Sequence, residues 1–293
     1  METTYADEKS GGAMQENYIP ELTELALDNI DFSGEDKLNG AYPVYGATFT
    51  SGALVTYTSG IPINWLAMGN SRLGEIWEKE NTYLPGIRSI GDVLAQEGYQ
   101  QEFLIGSDGA FGSRSSYFVG HGNYKIFDCY TAIEKGYIPE DYYEWWGYED
   151  EKLFAYTKTE ILELASGDEP FNFTMLTVDT HFTDGYLCGR CEDKFDSQYS
   201  NVLSCSSKQV SEFVDWIKEQ DFYENTTIVI VGDHLTMDSD YISNQNAQSH
   251  DRKAYVAIIN PVEGCSESAS KRQYTTMDIM LYLAQSIFSF YMR

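Results

Sequence analysis

An acid and a histidine, Asp233 and His234, stand side by side at the end of an apolar run. The residues before them, from Ile228 to Val231, are unbroken and β-branched, and Gly232 closes the run. Such a run is typical of a buried strand in a parallel sheet. Ligands of open α/β sheets gather at the carboxyl ends of the strands, so the pair can offer one oxygen and one nitrogen to a metal ion. The alternative is a polar strand end whose acid caps the following turn.

Three further polar side chains lie at, or in loops beside, the ends of other predicted strands. Thr50 precedes a predicted helix, His181 follows a predicted strand, and Arg114 lies in a loop rich in glycine and serine. A hydroxyl near a helix start lies at the positive end of the helix dipole, which favours anions. Arg can hold non-bridging oxygens, and His can hydrogen-bond a substrate or protonate a leaving group. Together with a metal ion, such a set suits displacement at phosphorus or sulfur, although each residue alone has an ordinary structural alternative.

The elements that must position these residues alternate between strands and helices. The pattern predicts strands over 101–105, 171–178, 226–231 and 254–260, and helices over 51–59, 85–98, 149–166, 210–218 and 275–292. This alternation predicts an α/β fold in which a parallel or mixed sheet lies between layers of helices. We find no internal repeat and no low-complexity linker, so the sequence predicts one domain over residues 1–293.

The bulk composition excludes one class of partner. The chain has 293 residues, of which 42% are hydrophobic, so it can bury a sizeable core. Its formal net charge is -27, and such a charge would repel nucleic-acid phosphates. The same charge fits a secreted or surface-exposed domain, a protein that attracts divalent cations, or plain solubility. The sequence has no apolar stretch of the roughly 18 residues that a membrane span needs.

Three of the five cysteines, Cys188, Cys191 and Cys205, fall in one short segment. The Cys188-x-x-Cys191 spacing could be half of a zinc site, but no second such pair or His pair completes it in the sequence. A local disulfide in an oxidising compartment is the alternative that we expect, against free thiols.

Three stretches together resemble a known family. They are Phe49-Thr50-Ser51-Gly52-Ala53 with Gly60-Ile61-Pro62, the run from Thr174 to Gly185 centred on Asp179-Thr180-His181, and Val231-Gly232-Asp233-His234. In this order they resemble the lipoteichoic acid synthase and phosphoglycerol transferase group of the sulfatase and alkaline phosphatase superfamily. The resemblance covers nearly the whole chain. It implies an alkaline-phosphatase-like α/β/α sandwich with a mostly parallel mixed sheet.

The resemblance also implies roles for the residues that match the motifs. Thr50 matches the catalytic threonine, which forms a covalent phosphoglycerol intermediate and also touches the metal. Asp233 and His234 match two further ligands of one divalent ion, with Mn²⁺ expected and Mg²⁺ as the alternative. The implied activity is metal-dependent transfer of glycerol phosphate from a phospholipid to a glycan or polymer acceptor.

Substrate contacts are implied for a second set of residues. His181 matches a residue that grips the phosphoglycerol group, and Arg114 and His121 lie in the loop that supplies further substrate contacts. Arg252 falls near another polar position of the group. The implied partners are a phosphatidylglycerol-type lipid donor and a glycan or polyglycerolphosphate acceptor, with no nucleic acid. The implied location is the extracytoplasmic face of the cell membrane.

One departure from the family pattern bears on activity. In the family, a further metal ligand is a glutamate in a Glu-Ser pair at the end of the first core strand. This chain begins Met1-Glu2-Thr3, which resembles the family sequence just after that pair. Glu2 therefore lies a few positions beyond the ligand and does not match it. We therefore expect a chain that lacks the first strand and a C-terminal part. The alternatives to transfer are hydrolysis of phosphate or sulfate esters on the same fold, and an inactive fragment.

Overall fold

The computed structural model describes residues 1–33, 37–63, 83–262 and 273–288. The described helices are α1 (Pro20–Leu27), α2 (Thr50–Ser59), α3 (Ile90–Gln96), α4 (Arg114–Gly120), α5 (Cys129–Glu134), α6 (Asp150–Ala165), α7 (Gln198–Lys218), α8 (Ser239–Asn244) and α9 (Asp278–Phe288). The described strands are β1 (Ala41–Tyr42), β2 (Gln100–Ile105), β3 (Lys125–Phe127), β4 (Phe171–Leu176), β5 (Ile228–Val231), β6 (Val256–Ile259) and β7 (Tyr274–Thr275). Within these ranges no helix has the length and apolar character that crossing a bilayer requires.

The strands form parallel and antiparallel ladders, as the sequence predicts for a mixed sheet. β2 lies between β3 and β4 and runs parallel to both. β1 pairs in parallel with β7, and β5 pairs antiparallel with β6. Parallel strands need long crossovers, and the helices between them supply these connections.

Alternate residues of β2 point to two different layers of helices. Phe103 and Ile105 pack in one cluster with Phe118 of α4. Leu104 faces the other way and packs with Leu153 of α6. All of these side chains are buried, and each contributes roughly 1.5–3 kcal/mol by leaving water. The strand is therefore sandwiched between helices, which is the predicted layering.

The same alternation holds for β6 at the other end of the molecule. Val256 and Ile258 pack against α2 and α9. Ala257 and Ile259 face the opposite layer, formed by α1 and α7. Helix α2, which begins at Thr50, thus belongs to the layer that covers one face of both β2 and β6.

Several predicted boundaries differ from the structure. The helix predicted over 85–98 spans only Ile90–Gln96, because Ser89 caps it through a reciprocal capping box with Asp92. The loop predicted over 111–128 contains α4 and β3. The helix predicted over 210–218 begins much earlier, at Gln198. Its first half buries small polar side chains such as Ser200 and Ser207, so the apolar period that marks a helix is missing there. The end of the helix predicted over 275–292 lies outside the described residues.

Strands β4 and β5 lie at the middle of the molecule yet are only half-buried along their whole length. Each forms one ladder, β4 with β2 and β5 with β6, and in the described ranges neither has a partner on its second edge. Both strands pack against α7 through one shared cluster that includes Phe173 and Ile228. Near their amino ends, the rings of Phe171 and Phe222 approach to 5.7 Å. Among the described residues, the second edges of β4 and β5 therefore carry no ladder hydrogen bonds.

A buried ion pair fixes the N-terminal segment. The Glu2 side chain is fully buried and accepts hydrogen bonds from Arg252 Nε (2.7 Å) and Nη2 (2.5 Å). Thr4 donates a third hydrogen bond to the same carboxylate, at 2.8 Å. Arg252 also donates to the carbonyl of Thr236, at 3.1 Å. The sequence predicts a polar residue of the family at Arg252. In the structure its side chain links the N-terminal segment to the segment that follows His234.

Candidate active site

A pocket of about 110 Å³ lies where the carboxyl ends of β4 and β5 meet the first turn of α2. Thr50, Asp233, His234, Arg114 and His181 all line it. The structure therefore brings together five of the six predicted site residues.

Thr50 is the first residue of α2. Its Oγ1 lies 3.0 Å from Asp233 Oδ2, to which it donates, and 3.5 Å from His234 Nε2. The first intrahelical hydrogen bond runs from Ala53 N to the Phe49 carbonyl, at 2.9 Å. The N–H groups of the helix that precede Ala53 are therefore directed outward at the positive end of the dipole. The Thr50 hydroxyl therefore lies next to backbone N–H groups that can bind an anion.

The orientation of His234 leaves one ring nitrogen available. Its Nδ1 lies 2.8 Å from the Leu235 carbonyl, and a carbonyl can only accept, so Nδ1 donates. In the neutral ring Nε2 then carries the lone pair, and it lies 3.3 Å from Asp233 Oδ2. A backbone carbonyl that holds the ring in this way is the usual support of a metal-binding histidine.

Tyr57 holds the backbone of the strand end in place. Its hydroxyl donates to the carbonyls of Gly232 (2.5 Å) and Asp233 (2.7 Å) from the second turn of α2. Tyr57 is buried, and burial followed by the charge of Asp233 raises the pKa of its phenol well above the usual range. The ring therefore stays protonated and keeps donating, which locks α2 to the end of β5.

Asp233 is ionised in the site. Burial works to raise its pKa, but the opposing contributions prevail and lower it. These come from His234, the chain's amino group, the His234 N–H and the Thr50 hydroxyl. A carboxylate, a hydroxyl and a free imidazole nitrogen thus lie within 3.5 Å of one another. This set of two oxygens and one nitrogen fits a divalent metal ion.

Arg114 is held rigidly at the pocket wall. Its Nε donates to the Phe111 carbonyl (2.7 Å) and its Nη2 to the Asp108 carbonyl (2.8 Å). The guanidinium also lies 5.3 Å from the Phe111 ring centroid. Burial lowers the pKa of Arg114 somewhat, but an arginine stays charged at neutral pH. Its remaining donors can bind the oxygens of an anion without a large loss of side-chain entropy.

His181 stands at the aromatic side of the pocket. Its Nδ1 donates to the Phe182 carbonyl at 2.6 Å, which leaves Nε2 as an acceptor in the neutral ring. The ring centroid lies 4.9 Å from that of Trp146, and the Trp146 ring lies 6.0 Å from Phe111. His181 is therefore oriented by a backbone carbonyl and an indole, and its free nitrogen can accept a hydrogen bond from a hydroxyl.

His121 lies away from this pocket. Its ring is buried between Asp92, 3.1 Å from Nδ1, and the Tyr83 carbonyl, 2.7 Å from Nε2. It also packs against Tyr117 at 4.9 Å. Both ring nitrogens are used within the protein, so the structure gives His121 a packing role and does not bring it to Thr50.

Sequence reasoning missed two residues of the site, Tyr57 and Trp146. The sequence predicts a partly buried surface ridge for the aromatic stretch around Trp146, and Trp146 does stay partly exposed where it lines the pocket. The stretch reaches the pocket because Gly147 lies directly against the end of β2. A Cβ at Gly147 would come within 2.1 Å of the Gly106 carbonyl, so only glycine permits this approach. In the sequence, Gly147 directly after Trp145 and Trp146 was the signal that the chain makes a close approach here.

Asp179, two residues before His181, carries a buried carboxyl whose two oxygens meet no hydrogen-bond partner among the described residues. The neighbouring Asp150 carboxylate accepts from the N–H groups of Val178 (2.7 Å) and Asp179 (3.0 Å). Burial, and then the charge of Asp150, raises the pKa of Asp179. The carboxyl of Asp179 is therefore protonated in the folded protein over a range where it is ionised in the unfolded chain.

We expect Asp179 to make the folded state less stable as pH rises. Its folded pKa lies above the unfolded value of about 3.9, so the folded state binds more protons. The stabilisation is present below about pH 4 and is lost with rising pH, by at most roughly 1.4 kcal/mol per pH unit. Urea unfolding at several pH values measures the free energy of unfolding of the wild type and of Asp179→Asn. We expect the variant to become more stable relative to the wild type as pH increases. A difference in free energy that stays constant with pH would contradict the assignment.

Comparison with known proteins agrees with this fold. The sulfatase family profile matches residues 66–280 of the chain. Phosphoglycerol transferase I of Xanthomonas campestris pv. campestris (strain B100) is 27% identical over 246 residues, which cover 82% of this chain and 33% of that protein. The chain thus spans about a third of the length of the curated relatives it matches.

Solved structures share the fold. The lipoteichoic acid synthase LtaP from Listeria monocytogenes superposes with a TM-score of 0.73 at 15% identity, covering 98% of this chain and 69% of that one. A protein of the alkaline phosphatase superfamily from Vibrio parahaemolyticus superposes with a TM-score of 0.67 at 20% identity, covering 96% and 63%. The predicted α/β/α sandwich is confirmed. The chain belongs to the sulfatase family, and its predicted resemblance to the lipoteichoic acid synthase and phosphoglycerol transferase group is confirmed.

Proposed function

We propose that residues 1–293 form one catalytic domain of a metal-dependent phosphoglycerol transferase that works through a threonine-linked intermediate. One observation carries the proposal. Thr50 Oγ1 begins a helix and lies 3.0 Å from Asp233 Oδ2 and 3.5 Å from His234 Nε2. A hydroxyl so placed has an anion site and a set of metal ligands on either side of it. The relatives named phosphoglycerol transferase I support the class of group transferred.

Thr50, Asp233 and His234 would hold the ion. Carboxylate and hydroxyl oxygens suit Mn²⁺ and Mg²⁺, and the imidazole of His234 favours Mn²⁺ of the two. When bound, the ion would lower the pKa of the threonine hydroxyl and neutralise charge on a phosphate oxygen. The convergence of Thr50 Oγ1, Asp233 Oδ2 and His234 Nε2 within 3.5 Å of one another supports this assignment.

The chain's own groups suit a phosphodiester donor. Thr50 Oγ1 would lose its proton and attack phosphorus, forming an Oγ–P bond as the bond to the diacylglycerol oxygen breaks, and that oxygen would take up a proton and leave as diacylglycerol. Arg114, fixed by two loop carbonyls, would bind non-bridging phosphate oxygens. His181 Nε2 would accept a hydrogen bond from a glycerol hydroxyl, with Trp146 holding the ring. An acceptor hydroxyl would then attack the same phosphorus and release Thr50.

The polar side chains that line the pocket support a small polar transferred group. A phosphoglycerol unit would bind against Thr50, Arg114 and His181, while the acyl chains of a phosphatidylglycerol-type lipid and the bulk of the acceptor stay outside. A glycan or a polyglycerolphosphate chain would be the acceptor. Both substrates belong to the cell envelope, so we propose that the domain works at the extracytoplasmic face of the membrane.

The test is product analysis with the wild-type chain. Phosphatidylglycerol vesicles with Mn²⁺ should yield glycerol phosphate and diacylglycerol, and an added glycan should become labelled with glycerol phosphate. Turnover of aryl phosphate or aryl sulfate without any transfer to a sugar would favour a hydrolase of the same fold. No turnover of either substrate, in protein that is folded, would identify an inactive fragment and overturn the proposal.

A further inference from the structure

Three cysteine sulfurs converge away from the Thr50 pocket. Cys188 and Cys191 lie in the segment after His181, and Cys205 lies on α7. Cys188 Sγ is 3.7 Å from Cys191 Sγ and 3.8 Å from Cys205 Sγ, and all three sulfurs lie within 4.8 Å of one another. All three residues are free thiols, so the expected local disulfide is not formed here. Folding has brought Cys205 to the pair that looked incomplete in sequence.

The spacing of the sulfurs matches the corners of a metal-thiolate tetrahedron. A zinc–sulfur bond is about 2.3 Å, so two sulfurs on a tetrahedral zinc ion stand about 3.8 Å apart. The two shortest separations here have this value. A disulfide needs about 2.05 Å and would join only two of the three sulfurs. Cys188 is equally close to both partners, so the geometry does not favour either pairing and fits one shared centre.

The backbone of the Cys188-x-x-Cys191 turn holds its two cysteines together. The turn is closed by a hydrogen bond from Cys191 N to the Cys188 carbonyl, at 3.2 Å. Its two sulfurs therefore lie 3.7 Å apart before any ion arrives.

Gln209 provides a fourth group. Its side chain is only 4% exposed, and its Nε2 lies 3.5 Å from Cys205 Sγ and 3.8 Å from Cys188 Sγ. Its Oε1 is buried and has no hydrogen-bond partner among the described residues, a state that costs roughly 1–3 kcal/mol. A half-turn of the amide exchanges the two atoms and directs the oxygen at the sulfurs. As a metal ligand, that oxygen would no longer be unpaired.

We propose that Cys188, Cys191 and Cys205 bind one Zn²⁺ as thiolates, with the Gln209 amide oxygen as the fourth ligand. Binding displaces the remaining thiol protons to solvent and leaves the oxidation state of sulfur unchanged. Four protein ligands make a closed site of the structural type. The ion joins the segment that carries His181 to α7, which already holds the same segment through the Tyr199 hydroxyl and the Thr180 carbonyl, 2.9 Å apart.

Cobalt substitution tests the proposal on the full chain. Co²⁺ bound to thiolates gives an intense sulfur-to-metal absorption band, whereas Co²⁺ on oxygen and nitrogen ligands does not. We expect the band to saturate at a single equivalent in the reduced wild type and in Asp233→Asn. Cys205→Ser should lose the band, and Cys129→Ser, which removes a thiol outside the cluster, should keep it. Absence of the band in the reduced wild type overturns the proposal.

Alkylation of the wild type gives a second test, which depends on no variant folding. With Zn²⁺ bound, three thiols should resist alkylation until a chelator is added. If a disulfide forms instead, two sulfurs will resist until a reductant is added, and the chelator will have no effect. That outcome, or free alkylation of all three sulfurs in the zinc-treated protein, overturns the proposal.

Discussion

Thr50→Ala is expected to reduce release of glycerol phosphate from phosphatidylglycerol by roughly 10³-fold or more. The substitution removes the only atom that we propose to bond to phosphorus, together with one of the three proposed metal ligands. Loss should be seen in kcat, because no threonine-linked intermediate can form. Initial rates with radiolabelled phosphatidylglycerol vesicles and saturating Mn²⁺ measure it. Thr50→Ser, which keeps a hydroxyl, should retain a measurable fraction of the activity.

Thr48→Ala is the matched control for this change. Thr48 is exposed and lies just before α2, so the same atoms are removed without touching the pocket. Its rate of glycerol phosphate release should equal that of the wild type. Thr50 itself is not deeply buried, so Thr50→Ala should unfold at nearly the same urea concentration as the wild type. Wild-type activity in folded Thr50→Ala would exclude Thr50 as the nucleophile.

Asp233→Asn is expected to weaken Mn²⁺ binding by at least about 100-fold. Loss of a residue that only supports a ligand costs about 10–100-fold in metal affinity, and Asp233 would itself be a ligand. The variant also removes the charge that accepts the Thr50 hydrogen bond. Titration followed by Mn²⁺ electron paramagnetic resonance measures the affinity. Mn²⁺ prefers oxygen and imidazole ligands to thiolates, so the three-cysteine cluster should not contribute to the signal.

The comparison for this measurement is Asp221→Asn. Asp221 is exposed and precedes β5, and its replacement changes the net charge by the same amount. Its Mn²⁺ affinity should equal that of the wild type, which shows that general attraction by the acidic chain is not the cause. If Asp233→Asn binds Mn²⁺ as tightly as Asp221→Asn, Asp233 is not a ligand.

The strands and the three proposed metal ligands could be anticipated because local signals point to them. A β-branched run closed by Gly232 marks β5, and the position of Asp233 and His234 after it follows from the direction of the strand. Thr50 was placed at a helix start by the hydroxyl-rich pattern, and α2 does begin there. These features depend on neighbours in sequence, which is the information that a pattern contains.

The rest of the site depends on which distant segments meet. Tyr57 reaches Gly232 across 175 positions of sequence, and nothing near either residue indicates that contact. His121 was placed with the substrate contacts through its loop, but α4 turns its ring toward Asp92. Cys205 lies in the same segment of sequence as Cys188 and Cys191, but the helix that carries it was not predicted there, because the hydrophobic period fails in the first half of α7. Such pairings are set by the packing of whole elements.

The open second edges of β4 and β5 bear on how the protein behaves at high concentration. An unpaired strand edge with apolar side chains is a template for pairing with another chain. The net charge of -27 opposes this, because two copies repel one another. Added salt screens the repulsion, with a Debye length of about 8 Å at physiological ionic strength, and leaves backbone pairing intact. For this chain we therefore expect added salt to promote association between copies, and dilute buffer to oppose it.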